Sequence, residues 1–167
     1  VDLRGVFLGL RAVIEPMVSA GRGAIICTAS VAGLRGGTNM PSYFAAKHGV
    51  VGLVKCAAAE FASLNVRVNA VCPGVIDTPI LGPAHGVEAI TNILGRGHLL
   101  DRVGQPDEVA QLVSFLASDR SSFITGAAYP IDGGMTAALT AGNASDMDEG
   151  EMEKLFEQFS SGVPDSN

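Results

Sequence analysis

The chain has 167 residues, of which 47% are hydrophobic, and it contains 21 glycines. This length suits one domain with a real core, and the composition excludes a disordered or fibrous chain. The net charge is −6, but seven of the 17 acidic residues lie in 141–167, so the rest of the chain is neutral and has no basic stripe for nucleic acid.

Further classes of protein are excluded by patterns that the sequence lacks. No run of about 18 apolar residues occurs, so we expect no membrane span, and no signal peptide is expected either. Cys27, Cys56 and Cys72 are odd in number and lie in apolar surroundings, which predicts buried free thiols and a cytoplasmic protein. No histidine stands at ligand spacing from them, so no metal site is predicted.

The first half of the chain predicts a helix, a strand and a second helix. Residues 5–21 form an apolar helical pattern, which Pro16 should kink or end early. The stretch GAIICTAS, residues 23–30, predicts a fully buried strand of the kind that parallel sheets use. A glycine-rich loop, 33–41, then leads to a long helix from about Ser42 to Leu64.

The second half continues the alternation. VRVNAVCPG predicts a strand that ends at Pro73-Gly74, and residues 75–105 are irregular with a short helix. QPDEVAQLVSFLAS has proline and acids in its first turn, which favours a helix start. GAAYPIDGG predicts a last short strand, ended by a tight turn at Gly133-Gly134.

This order of elements predicts an α/β fold with parallel strands joined by right-handed helical crossovers. Ligands of such sheets bind outside the carboxyl ends of the strands. Ser30, the stretch 73–78 and Gly133-Gly134 all follow strands directly, so we expect them to form one rim. Tyr43 lies near the start of a helix that leaves the same rim.

Tyr43 and Lys47 are four residues apart on that helix, which puts both side chains on one face. A free phenol has a pKa near 10 and is a poor base at neutral pH. A neighbouring ammonium group favours the phenolate form. The pair therefore predicts an acid/base, although either residue alone is more often structural or solvated.

Three motifs follow one another in the order of a known family. Ser30, Tyr43 and Lys47 stand as Ser30-VAGLRGGTNMPS-Tyr43-FAA-Lys47, the pattern Ser-x12-Tyr-x3-Lys. NAVCPGVIDTP, residues 69–79, and PDEVAQLVSFLASDRSSFITGAAYPIDGG, residues 106–134, are the other two. Over roughly residues 1–137, the chain resembles the short-chain dehydrogenase/reductase family.

The resemblance implies a Rossmann-like doubly wound parallel sheet, of which residues 1–140 would be the C-terminal part with about three strands. The implied activity is an oxidoreductase that interconverts a secondary alcohol and a ketone with NAD or NADP, NAD being preferred. Tyr43 would be the proton acceptor in oxidation. Ser30 would hydrogen-bond the substrate oxygen, and Lys47 would also bind the ribose hydroxyls of the cofactor.

The resemblance also assigns roles to the second motif and to the irregular segment. Pro73 and Gly74 would shape a turn in which the backbone of Ile76 and the hydroxyl of Thr78 hold the nicotinamide carboxamide. Residues 79–100 would form a lid whose apolar side chains favour a cyclic or apolar alcohol, with a sugar alcohol as the alternative; these side chains are Ile80, Leu81, Ile90, Ile93 and Leu94. The family tends to form tetramers through its two long helices, so a homo-oligomer, tetramer or dimer, is expected.

Two features depart from the family pattern. Asp2 stands where the family usually has an asparagine, and its charge near Lys47 would oppose phenolate formation. The sequence also lacks the family's glycine-rich phosphate loop, so we expect a partial chain that binds dinucleotide poorly. The alternative is a non-catalytic remnant that acts only as a binding or oligomerisation module. A serine hydrolase is a weaker third interpretation, because the GxSxG elbow is missing.

Residues 141–167 form a separate acidic tail with one basic residue, Lys154. Ser145 is predicted to cap a short amphipathic helix, whose apolar stripe is Met152, Leu155, Phe156 and Phe159. A frayed tail is the other interpretation.

Overall fold

The computed structural model describes residues 2–138 and 148–161. Its helices and strands follow one another as α1 (Arg4–Ser19), β1 (Gly23–Thr28), α2 (Pro41–Phe61), β2 (Val66–Pro73), α3 (Glu88–Gly95), α4 (Pro106–Ala117), β3 (Ala128–Ile131) and α5 (Glu149–Ser161). The predicted alternation of helices and strands is confirmed. Within the described part of the chain, no helix combines the length and apolarity needed to cross a bilayer.

The three strands form one parallel sheet in the order β1-β2-β3. The central strand β2 is almost wholly buried, because it has a neighbouring strand on each side and helices over its faces. The prediction of a fully buried β1 is wrong, since only Cys27 is buried in it. Among the described residues β1 pairs with β2 alone, so it forms an edge of the sheet.

Side chains alternate along β2 between two helical layers, as they must in a strand. Val66 and Val68 pack into the main core with residues of α1 and α2. Arg67 and Asn69 point to the other face and reach the end of α4 and the loop after it. The helices α2 and α4 therefore cover opposite faces of the sheet.

This placement corrects the predicted handedness of the crossovers. The chain steps in the same direction across the sheet from β1 to β2 and from β2 to β3. Because α2 and α4 lie on opposite faces, the two connections have opposite hands, and only one can be right-handed. The buried polar residue Asn69 holds the second connection: it donates to the Ile124 carbonyl at 2.9 Å and accepts from the Ala127 N–H at 3.1 Å.

Proline acts differently at the two long helices. Pro16 lies inside α1 without ending it, because the helix continues to Ser19 and the Pro16 carbonyl still accepts the Ala20 N–H at 3.0 Å. Pro41 occupies the start of α2, where a missing N–H costs nothing because first-turn donors have no helical partner. It fixes the beginning of α2 two residues before Tyr43.

Two smaller predictions are corrected. Cys27 and Cys72 are buried free thiols, but Cys56 is exposed on α2. The tail does form a helix, α5, yet its cap is Asp148. The Asp148 carboxylate accepts the Glu151 N–H at 2.9 Å, while the Glu151 carboxylate accepts the Asp148 N–H at 3.0 Å. Ser145, the predicted cap, lies outside the described residues.

Candidate active site

Ser30 lies two residues beyond the end of β1, at the rim formed by the carboxyl ends of the strands. It is 9% exposed, and its Oγ accepts the Ala32 N–H at 3.1 Å, which caps a short 3-10 helix. The hydroxyl hydrogen has no acceptor among the described residues. Ser30 can therefore cap its helix and still donate a hydrogen bond to a ligand.

Tyr43 and Lys47 lie one turn apart in the first half of α2, both partly buried. The Lys47 Nζ is 5.5 Å from the centroid of the Tyr43 ring, and it donates a hydrogen bond of 3.3 Å to the Thr28 carbonyl at the end of β1. The ammonium is thus held at the strand end with two of its three hydrogens unused by this bond. The adjacent His48 is exposed and bonds to the Phe44 carbonyl of its own helix.

The Ser30 turn packs directly against α2. A Cβ at Gly33 would lie 2.6 Å from the Lys47 carbonyl oxygen, so only glycine allows this close approach. Burial raises the pKa of the Cys72 thiol at the end of β2. The Ser30 backbone N–H, which is hydrogen-bonded to that thiol, acts to lower this pKa. The ends of β1 and β2 and the start of α2 therefore meet around Ser30 and Lys47.

The Pro73–Thr78 turn leaves β2 at the same rim. A bridge pairs Ile76 with Gly104, in which the Val75 carbonyl accepts the Gly104 N–H and the Asp77 N–H donates to the Gly104 carbonyl, both at 2.9 Å. Successive peptide groups of extended backbone point in opposite directions. The Ile76 N–H consequently faces away from Gly104, and among the described residues it has no acceptor.

Thr78 completes this side of the rim. Its Oγ1 lies 3.4 Å from the Ile76 carbonyl, to which it donates. The N–H and C=O of Ile76 and the Thr78 hydroxyl thus form a compact set of one backbone donor, one backbone acceptor and one hydroxyl. A primary carboxamide, which offers one acceptor and two donors, matches this set.

His98 is a buried residue of the rim that no sequence pattern marked as functional. It is 2% exposed, and its Nε2 accepts the Val75 N–H at 3.1 Å. A Cβ at Gly74 would approach Nε2 to 2.8 Å, so the ring needs glycine in the turn. Val75 and His98 are 23 residues apart, and no local spacing signals such a contact.

Asp132 organises the turn after β3. Its carboxylate accepts the Gly134 N–H at 3.0 Å, the Thr136 N–H at 2.9 Å and the Thr136 hydroxyl at 2.6 Å. Gly133 and Gly134 have φ values of 55° and 85°, which a residue with a side chain rarely adopts. The predicted tight turn at Gly133-Gly134 is confirmed.

The predicted lid begins with a loop closed by Asp77. The Asp77 carboxylate accepts the Gly86 N–H at 3.1 Å and bonds to His85 Nδ1 at 2.9 Å. These two contacts lower the pKa of Asp77. Ile80 within this loop and Ile93 beyond it are exposed, and the side chain of Ile90 lies outside the described residues.

The family is decided by comparison with known proteins. A family model described as enoyl-(acyl carrier protein) reductase matches residues 1–136. The chain belongs to the short-chain dehydrogenase/reductase family. The chain is 45% identical over 137 residues to cyclohexanol dehydrogenase of Acinetobacter sp. (strain SE19), a match that covers 82% of this chain and 53% of that protein.

Solved structures of family members share the fold. The crystal structure of levodione reductase superposes with a TM-score of 0.75 at 42% identity, covering 82% of this chain and 55% of that one. A 4-hydroxyisoleucine dehydrogenase mutant complexed with NADH and succinate gives a TM-score of 0.77 at 34% identity, covering 83% and 58% of the two chains. The Rossmann-like parallel sheet is thus confirmed, and the chain spans about half the length of the relatives it matches.

Proposed function

We propose that the chain is the catalytic portion of an NAD(P)-dependent oxidoreductase that interconverts a secondary alcohol and a ketone. The observation that carries the proposal is the ammonium of Lys47, held between the Tyr43 ring and the end of β1. Ser30 and the Pro73–Thr78 turn lie at the same rim. Membership of the family supports the reaction class.

Tyr43 is the acid/base in this proposal. Oxidation of an alcohol requires removal of its hydroxyl proton, and reduction of a ketone requires delivery of one. The positive charge of Lys47 favours the phenolate, because the charge of the ammonium attracts the charge that develops on the phenol oxygen. The Thr28 carbonyl holds the ammonium in place, so the charge does not have to be oriented during the reaction.

Ser30 orients the substrate. Its oxygen is occupied by the Ala32 N–H, so its hydroxyl hydrogen is the part available to the oxygen of an alcohol or ketone. Such a donor stabilises the negative charge that develops on this oxygen as the proton moves. Because Ser30 is nearly buried, the hydrogen bond forms away from bulk water and is correspondingly stronger.

The nicotinamide end of the cofactor is assigned to Lys47 and the Pro73–Thr78 turn. The Ile76 N–H, which has no acceptor in the described part of the chain, and the Thr78 hydroxyl fit its carboxamide, and the remaining Lys47 hydrogens fit the ribose hydroxyls. Pro73 and Gly74 shape the turn that presents these groups. When bound, the nicotinamide supplies the hydride donor or acceptor that no side chain can provide.

Cyclic or apolar alcohols and ketones are the proposed substrates, and NAD is the proposed cofactor. The apolar residues between 79 and 100 support the first proposal, as do the relatives named cyclohexanol dehydrogenase and levodione reductase. The NADH complex of 4-hydroxyisoleucine dehydrogenase supports a nicotinamide dinucleotide, and similar structures such as ElxO have NADP bound.

Association with a second copy through α1 and α2 is also proposed. An apolar groove of about 310 Å³ lies between these helices and is lined by Phe7, Leu10, Ile14, Leu53, Ala57 and Phe61. Phe7 is 49% exposed, which is unfavourable for so large an apolar side chain in water. This surface is the observation that favours the alternative function, a module that only oligomerises.

Two tyrosines allow a matched test of the catalytic proposal. A hybrid enzyme would join the part of cyclohexanol dehydrogenase that precedes its matched region to residues 1–138, and cyclohexanol oxidation with NAD would be followed by NADH absorbance. Tyr43→Phe should lower kcat by about a hundredfold or more, whereas Tyr129→Phe on β3 should leave it unchanged. Full activity of the Tyr43→Phe hybrid, or no activity of the unsubstituted one, would overturn the proposal.

The oligomer is tested on the 167-residue chain itself. Analytical ultracentrifugation should detect a dimer or tetramer that Phe7→Glu dissociates and Leu64→Glu, at an exposed site outside the groove, does not. Mild oxidation should link the exposed Cys56 residues of two copies, because Cys56 lines the groove. A monomer at all concentrations would contradict this part of the proposal.

A further inference from the structure

We propose that His98 is a positioning residue for the Pro73–Thr78 turn: its ring holds the Val75 N–H and thereby sets the backbone that presents Ile76 and Thr78 to the nicotinamide carboxamide. The roles of Ile76 and Thr78 rest on the proposed function. The hydrogen bond from Val75 to His98 is independent of that function.

The ring of His98 lies where two strand exits converge. A Cβ at Gly74 would lie 2.8 Å from His98 Nε2. A Cβ at Gly133 would lie 3.2 Å from His98 Cβ and 3.5 Å from the ring carbon Cδ2. The ring therefore touches the backbone that follows β2 as well as the backbone that follows β3. With 2% of its surface exposed, it has no room to adopt another rotamer without moving one of these turns.

One ring nitrogen of His98 is a hydrogen-bond donor and the other is an acceptor. Nδ1 lies 3.1 Å from the Gly95 carbonyl, which can only accept, so Nδ1 carries the hydrogen. Nε2 lies 3.1 Å from the Val75 backbone nitrogen, which can only donate, so Nε2 is the acceptor. These partners select the neutral tautomer with its hydrogen on Nδ1, and they fix the ring's orientation at both ends.

The Pro73–Thr78 turn is consequently anchored on both sides of Ile76. His98 holds the N–H of Val75, while Gly104 bonds to the carbonyl of Val75 and the N–H of Asp77. The direction of the free Ile76 N–H follows from these anchors, since the peptide planes are rigid. Hydride transfer is sensitive to misplacement of about 1 Å, so a loosened anchor would act on the cofactor without touching it.

His98 also connects this turn to the predicted lid. Gly95, its partner at Nδ1, is the last residue of α3. A Cβ at Gly95 would lie 2.8 Å from the Arg102 Cα, so the end of α3 is packed tightly against the following chain. The position of α3 and the position of the Pro73–Thr78 turn are therefore fixed through one side chain.

Two substitutions test the acceptor function of Nε2 separately from the donor function of Nδ1. The amide of glutamine extends as far as Nε2, so His98→Gln keeps an acceptor for Val75, whereas His98→Asn keeps only the donor toward Gly95. On the 167-residue chain labelled with nitrogen-15, a coupling across the hydrogen bond should connect Val75 N and His98 Nε2. Hydrogen–deuterium exchange at Val75 should accelerate about fivefold in His98→Asn, because one hydrogen bond is lost, and little in His98→Gln.

The hybrid enzyme supplies the functional readout. His98→Asn should raise the KM for NAD about fivefold, with a smaller change in the KM for cyclohexanol, and His98→Gln should restore the value. Absence of the nitrogen–nitrogen coupling, or equal effects of the two substitutions, would overturn the proposal. An inactive hybrid would overturn the proposed function instead, and His98 would then be judged by the coupling and the Val75 exchange alone.

Discussion

Lys47 donates its 3.3 Å hydrogen bond to Thr28, a residue nineteen positions earlier in the chain, while its ammonium lies 5.5 Å from the Tyr43 ring one turn before it. The same side chain thus ties the start of α2 to the end of β1 and places a positive charge beside the Tyr43 ring. The proposed function assigns it a chemical role as well as this structural one.

Removing this charge should impair catalysis more than folding. We expect Lys47→Met to lower kcat of the hybrid enzyme by about a hundredfold or more, because the phenolate of Tyr43 loses its counter-charge. The control is Lys55→Met, which removes an exposed lysine two turns later on the same helix and should leave kcat unchanged. Equal kcat values in the two variants would remove Lys47 from the mechanism.

Asp2 provides a second electrostatic prediction. Its carboxylate is exposed before α1 and, within the described residues, forms no salt bridge with Lys47. The resemblance to the family implies that this charge lies near Lys47, where it should oppose the phenolate, so Asp2→Asn should raise kcat by about twofold to fivefold, the range of a screened interaction. The difference should shrink as salt is added. Identical rates at low salt would show that Asp2 takes no part.

The ion pair of Arg102 and Glu108 predicts a pH dependence of stability. Arg102 donates to both Glu108 oxygens at 2.7 and 2.9 Å, and the Gln105 N–H donates to one of them at 2.8 Å. These contacts lower the pKa of Glu108 from 4.5 to about 2. The folded state thus binds this proton more weakly than the unfolded state. The stabilisation is fully present above pH 4.5 and is lost as the pH falls toward 2.

Urea unfolding between pH 2 and pH 7 checks this prediction. Glu108→Gln should lower the midpoint at neutral pH and flatten its decline in acid. Asp107→Asn removes an exposed carboxylate from the same helical turn and should leave the acid decline as it is. If the two variants declined in parallel with the unsubstituted protein, the ion pair would not control acid stability.

Arg67 should be the most important charged residue for folding. One guanidinium nitrogen donates to the Leu116 carbonyl at 2.9 Å and the Ser121 hydroxyl at 3.0 Å, and the other donates to the Ser118 carbonyl at 3.1 Å. It therefore satisfies carbonyls at the end of α4 from the face of the sheet that α4 covers. Arg67→Met should lower the free energy of unfolding by about 2–4 kcal/mol, since several charged hydrogen bonds are lost.

Arg22→Met is the matched control, because the Arg22 side chain is exposed and makes no hydrogen bond or ion pair with the described residues; its backbone bond to the Met17 carbonyl is kept in the variant. It should change the free energy of unfolding by less than about 0.5 kcal/mol. Both variants can be compared by chemical denaturation of the 167-residue chain. A small effect of Arg67→Met would mean that water replaces the lost donors.

The sequence predicted local structure well where a single local feature decides it, such as an apolar run or a proline at the start of a helix. The apolar run of β2 and the proline-led starts of α2 and α4 fixed these elements within a few residues, and Tyr43 and Lys47 share a face because helical geometry requires it. Asp148 caps α5 in the structure, whereas the sequence favoured Ser145, which lies outside the described residues. Both residues are good caps, so composition alone could not choose between them.

The contacts that hold the candidate site together could not be predicted from spacing. Thr28 and Lys47 meet, as do Val75 and His98, only because the sheet brings distant segments to one place. The exposed Cys56 and the partly exposed β1 were also missed. The burial of Cys56 and β1 depends on the segments that pack over them. An apolar sequence pattern does not indicate whether such segments are present.

By itself, the sequence determined the alternation of elements, the rim residues Ser30, Tyr43 and Lys47, and the family that they resemble, since these follow from patterns within short stretches. Only the tertiary structure decided that α2 and α4 cover opposite faces of the sheet and that His98 holds the Val75 N–H. The physical reason is that periodicity and turn chemistry act over a few residues. The hand of a crossover and the partner of a buried polar atom are chosen by the packing of the whole chain.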